Sequence, residues 1–272
     1  MPISTDLCSK PMLALLLLMV NGELQADDNV CPTPPAYPGA TQSAIPPNSR
    51  TLDPYSVTQT VRNYYEAALG LGFLEVTGEI DQHYYDWMFE LELPVWSAPD
   101  STRPLGWLSG GRVYAGTNVG ALTGAGMIET DYEQTSFIVW DTRAEWLKLR
   151  LTNDLYAWTH QCHLQSAMFG LEFVRWEEFL RRHADWLHFR KPVPHNLRQN
   201  PDSDGEHIAT IGLDHKLILL DIRGDWMEVE VEQPDLTCGG PDGDESQSVR
   251  QHGWVKWRDE RGPWVYIYTR GC

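Results

Sequence analysis

The chain has 272 residues and a formal net charge of −17. It is long enough to bury one large core or two small ones, and its surface repels the phosphate backbone of nucleic acid, which is excluded as a partner. Twelve tryptophans and eleven tyrosines serve cores, interfaces and sugar-stacking platforms equally well, so the aromatic load selects none of them.

Lys10 precedes the apolar run Met12 to Val20, and Leu24-Gln25-Ala26 follows. The run is shorter than the roughly 20 residues a membrane-spanning helix needs, and a small residue stands at cleavage distance. Residues 1–26 therefore read as a secretory signal peptide. The expected location is exported, periplasmic or secreted, with no stable membrane insertion after cleavage. Cys8 would leave with the signal, and the four remaining cysteines read as two disulfides. Four cysteines allow three pairings. The expected one joins Cys31 to Cys162, tying the N-terminal arm to the chain's first repeat, and Cys238 to Cys272, tying an acidic insert to the chain end.

Residues 27–55 hold Pro32, Pro34, Pro35, Pro38, Pro46 and Pro47, so they form an extended arm rather than a regular element. Val57, Val61, Tyr64, Tyr65, Ala68 and Leu69 recur at helical spacing behind the capping residue Ser56, which predicts a short helix ended by Gly70. Pro94 to Pro99 then reads as an opening strand and its first loop.

The stretch from Trp140 to Leu151 is matched position by position by Leu220 to Val231. In each, a turn (Arg143-Ala144-Glu145, Arg223-Gly224-Asp225) leads into a tryptophan and then a strand alternating apolar with charged residues. Met227, Val229 and Val231 form the core face, and Glu228, Glu230 and Glu232 the wet one, with Trp226 on the wet side. Trp158 is the counterpart of Trp254, with Ala157 in the place of Gly253. This is an internal repeat. Between the copies, Phe173, Trp176, Leu180 and Leu187 recur at helical intervals, Glu177 and Arg181 form an i,i+4 pair, and Pro192 stops the run. A connector helix is predicted there.

Gly224-Asp225-Trp226 followed by Gly253-Trp254-Val255 resembles the bacterial SH3-like domain (SH3b). The resemblance covers the stretch from Lys216 onward and, through the repeat, the first copy. It implies a mainly β fold with minor α: two SH3-like small β-barrels, a connector helix and a short N-terminal helix. The boundaries that follow are a signal peptide at 1–26, a Pro-rich arm at 27–55, the helix and first domain at 56–165, the connector at 166–200 and the second domain at 201–272.

Motifs for catalysis are not found. Ser109 stands one place too late in Gly106 to Gly110 for a nucleophile elbow, and no zincin pair of histidines exists. His160-Gln161-Cys162-His163 offers metal ligands, but Cys162 is wanted for a disulfide, so the segment reads as a structural cysteine with surface histidines. Asn200, Asp202, Asp204 and Gly205 imitate half a calcium loop, yet Ile211 stands where its bidentate glutamate belongs. Asp221 and Asp225, as turn residues, are poor candidates for a hydrolytic pair. No cofactor or metal is expected.

Four tryptophans remain on polar faces, where an uncovered ring forfeits roughly 2 to 3 kcal/mol of burial. Either the chain or a ligand covers each of them. A groove lined by Trp226 and Trp254, with Trp146 and Trp158 as a degenerate second one, is the candidate ligand site. By resemblance to SH3b domains, the expected activity is non-catalytic binding in the cell envelope, with peptidoglycan or its stem peptide as ligand. The alternatives are docking of an envelope protein at Pro-rich or basic segments, and hydrolysis by an unrecognised carboxylate pair.

Overall fold

Period-two alternation becomes antiparallel sheet on both sides of the repeat. The computed structural model describes residues 30–36, 68–77, 91–109, 112–115, 118–121, 127–131, 134–151, 156–165, 170–185, 187–190, 193–213, 215–233 and 249–267. The predicted signal peptide, Cys238, Cys272 and all but the last two residues of the predicted N-terminal helix lie outside this set. Those two, Ala68 and Leu69, are not helical.

The first sheet contains β1 (Gly72–Val76), β2 (Glu92–Trp96), β3 (Pro104–Ser109), β4 (Arg112–Ala115), β5 (Asn118–Ala121), β6 (Met127–Asp131), β7 (Gln134–Arg143), β8 (Trp146–Arg150), β9 (Tyr156–His160) and β10 (Leu171–Arg175). After helix α1 (Trp176–Arg182), the second sheet contains β11 (Leu187–Phe189), β12 (His195–Arg198), β13 (His207–Ile211), β14 (Lys216–Arg223), β15 (Trp226–Gln233), β16 (Val249–Lys256) and β19 (Val265–Ile267). A small hairpin of β17 (Arg258–Asp259) and β18 (Gly262–Pro263) precedes the last strand.

Strand order makes the duplication plain. The first sheet runs β10-β1-β7-β8-β9-β2-β3 before continuing into β4 and β5, and the second runs β19-β11-β14-β15-β16-β12-β13. Corresponding strands follow in the same chain order, and β4, β5 and β6 are additions to the first copy.

Registers agree as well. Lys148 faces Trp158 as Glu228 faces Trp254, and Leu149 faces Ala157 as Val229 faces Gly253. Both copies carry a bulge one strand earlier, at Val139/Asp141 and Leu219/Asp221. Their tight turns each need one left-handed residue, Gly224 at φ 60° and Ala144 at φ 48°. Glycine takes that conformation freely, whereas alanine is strained there.

Neither sheet closes, so the expected small barrels are corrected to two open antiparallel sheets. The sheets are stabilised against α1 and each other instead. Trp176, Phe179 and Leu180 of α1 enter one buried cluster with Phe73 and Ile138 of the first sheet and Leu217, Met227, Val229 and Val255 of the second. Tyr266 donates its hydroxyl hydrogen to the Glu129 carbonyl at 2.6 Å across the sheets, and the Trp176 indole donates to Leu69 O at 2.9 Å. A separate cluster under the first sheet includes Leu93, Val95, Leu108, Phe137, Leu147 and Leu149.

The connector is shorter in helix than its spacing predicts. Phe173 and Val174 pair with Leu74 and Phe73 in β10, and Leu187 pairs with Leu217 in β11. Helical and alternating patterns coincide over so few residues, and the sheet edges of β1 and β14 offer backbone partners that a longer helix would forgo. The predicted Glu177–Arg181 pair is present at 3.1 Å. Arg182 meets Glu75 of the first sheet at 2.7 Å, and Arg181 meets Asp221 of the second at 3.6 Å.

Candidate functional site

The second copy carries a groove of about 500 Å³, bordered by Pro194, His195, Asn196, Arg198, Ser203, Asp225, Trp226, Val255, Lys256 and Trp264. Its floor follows from β pairing. Trp226 opens β15 and stands directly opposite Lys256 on β16, and the Lys256 ammonium lies 5.5 Å from the Trp264 ring. The turn before β15 is held by two bonds from Trp257, its indole to Gly224 O and its backbone N–H to Asp225 O, each 2.9 Å. Trp264 is positioned by its own N–H to Trp257 O at 2.6 Å.

His195 begins β12 on the opposite wall. Its ring stacks on Phe189 at 3.8 Å with 6° between planes, and lies 5.6 Å from Trp264. It is only 9% exposed, and its Nε2 has no hydrogen-bond partner among the described residues. Burial in this aromatic setting lowers its pKa to about 4, so the imidazole is neutral at pH 7. An unpaired buried polar atom of this kind is costly to the fold.

Cations gather here despite the acidic chain. Lys256 and Arg198 both border the groove, and Arg198 also donates to Gly205 O at 2.6 Å, holding the loop between β12 and β13. That loop contains the residues imitating a calcium loop, but it is shaped by its own turn bonds, with the N–H groups of Asp204 and Gly205 both donating to Asp202 at 3.1 Å.

The predicted tryptophans separate. Trp226 is partly exposed and lines the groove. Trp254 is 5% exposed and covered by the Arg223 guanidinium at 4.8 Å, and it is not among the lining residues. Trp146 is also 5% exposed, packed edge-on against Trp96 at 5.2 Å and His160 at 5.0 Å. Trp158 is partly exposed beneath the Lys148 ammonium at 5.8 Å. Neither Trp264 nor His195 stood out in the sequence. The signal that could have found them is their position beside prolines, Pro263 and Pro194, in segments too short to show a period.

In the first copy the corresponding face is covered. Cys31 and Cys162 form the expected disulfide, with Cα atoms 5.8 Å apart. Beyond it, residues 31–36 form no regular element, with Pro32 buried and Pro35 half-buried. The His163 imidazole donates from Nε2 to Pro32 O at 3.0 Å, and the Trp107 indole donates to Pro35 O at 3.0 Å. His163 stacks on Trp96 at 5.4 Å.

His160 and His163 are 4% and 6% exposed, so the expectation of surface histidines is corrected: Trp96, Trp146 and the arm enclose them. Donor atoms of Cys31, His160 and Cys162 lie within 4.8 Å of one another, but the sulfurs are joined to each other and offer no thiolate to a metal or a substrate.

Asp221 takes the Ile222 N–H at 2.8 Å and the Arg223 guanidinium at 3.1 Å, which hold its carboxyl below the usual range. That is the opposite of what a general acid requires. Among the described residues no helix is long and apolar enough to cross a membrane. Comparison with protein-family models and with curated proteins finds no match for this chain.

Proposed function

We propose that this chain is a non-catalytic binding module of the cell envelope that holds an extended, peptide-like ligand in the groove between Trp226 and Trp264. The observation that carries the reading is the pairing of two indoles with the buried, neutral ring of His195 along one groove. Apolar walls with a few fixed polar groups are the usual make-up of a ligand site. Lys256 and Arg198 outnumber Asp225 among the charged residues bordering the groove, so a carboxylate-bearing ligand is drawn to it although the whole chain is acidic. The stem peptide of peptidoglycan and a segment of an envelope protein both present such a chain.

The test is co-sedimentation of the exported chain with purified peptidoglycan, alongside titration with soluble stem peptides. Binding that is lost in Trp226→Ala and Trp264→Ala variants with unchanged circular dichroism supports the reading. Variants that retain full binding contradict it.

A further inference from the structure

The first copy shows what its own version of this face accepts. Register equates Trp146 with Trp226 and His160 with Lys256, because each tryptophan faces its partner across the same strand pair. It also equates Trp96 with Arg198, since these face Trp158 and Trp254. Counting back along the β2–β3 and β12–β13 hairpins then equates Trp107 with Thr210 and Pro94 with Asn196. The counterparts of the arm's own hydrogen-bond donors, Trp107 and His163, do not border the groove, but Cys31 lies beside His160 and Trp107 faces Pro94, and their counterparts Lys256 and Asn196 both do, so residues 31–36 lie on the equivalent face.

What lies on that face is a proline-bearing segment. Pro32 and Pro35 are turned inward while Thr33 and Pro34 between them are exposed, the three-residue spacing with which a polyproline II segment presents one side. Ring nitrogens of His163 and Trp107 donate to the carbonyls of these two prolines. Aromatic walls that receive prolines while ring N–H groups bind the carbonyls are a general means of recognising such segments.

We propose that the open groove of the second copy takes a proline-bearing extended segment of another polypeptide, as the first copy takes residues 31–36 of its own chain. Lys256 and Arg198, replacing His160 and Trp96, select a segment that also carries a carboxylate. The inference rests on the groove reading above and commits it to a protein partner rather than a wall glycopeptide.

Fluorescence anisotropy of a labelled peptide of residues 31–38 with Cys31→Ser, bearing a free C-terminal carboxylate, tests it on the whole disulfide-bonded protein. The expected result is saturable binding at one site. It should weaken about tenfold or more in Trp226→Ala, the loss typical of an aromatic anchor. Replacing the peptide's Pro32 and Pro35 by alanine should weaken it similarly, and amidating its carboxylate should do so by a smaller factor that disappears in Lys256→Ala. Binding unchanged by Trp226→Ala would overturn the proposal. If the peptide fails while a disaccharide stem peptide binds and is lost in Trp226→Ala, the proline-segment inference falls and the groove reading stands. If neither ligand binds, both fall.

Discussion

Replacing His195 by glutamine removes a group whose titration is set by the groove wall. The folded imidazole has its pKa lowered to about 4, whereas an unfolded histidine titrates near 6.5. Above pH 6.5 the ring is neutral in both states and costs nothing. As pH falls through 6.5 the unfolded chain takes up a proton that the folded one refuses, so stability drops until the folded ring itself protonates near pH 4. The shift amounts to about 3 kcal/mol of stability lost across that window. Burial also lowers the pKa of His163, so the wild type alone is not diagnostic. Urea denaturation of the wild type and His195→Gln at pH 8, 5.5 and 4 isolates the effect in the difference between them. The wild type should lose about 3 kcal/mol more than the variant between pH 8 and pH 4. A difference that stays flat would mean His195 is solvated and the wall is not as described.

Three further outcomes follow from packing. The Cys31–Cys162 bridge spans 131 residues, so Cys31→Ser should lower stability by 2 to 5 kcal/mol, about 5 being the chain-entropy limit, and should open the first copy to a protease that cuts the arm. Ala144→Gly relieves the left-handed turn of the first copy and should stabilise by about 1 kcal/mol in thermal or urea melts, whereas Gly224→Ala, with open space around its Cα, should cost about as much through φ alone. Phe179→Ala hollows the cluster shared by both sheets and should cost about 3 to 5 kcal/mol by urea denaturation, destabilising both copies in one transition.

The duplication was legible because it is written in strand alternation and in turn residues, both local signals. Gly224-Asp225-Trp226 and its counterpart Ala144-Glu145-Trp146 each mark a two-residue turn, and the core face of Met227, Val229 and Val231 follows from counting by two. The Cys31–Cys162 disulfide agrees with the expected pairing, one of three that four cysteines allow, and ties the arm to the first repeat.

The groove was not legible, for a physical reason. It is assembled from β12, β15, β16 and the residue between β18 and β19, and no periodicity links His195 to Trp264. Trp254 shares a polar face with Lys256 as counting by two predicts, yet Arg223 from β14, two strands away, covers its ring. The burial of His160 and His163 likewise comes from segments far away in sequence, the arm above all. Sheet closure cannot be read from strand alternation, which is the same in an open sheet and a barrel.

The most direct measurement is NMR of the tryptophan indole N–H groups during titration with the residue 31–38 peptide and, separately, with a soluble stem peptide. A ligand-binding groove predicts saturable shifts for the Trp226 and Trp264 signals with at least one of the two ligands, while those of Trp146 and Trp254 hold still. Stationary Trp226 and Trp264 signals at saturating concentrations of both would contradict it.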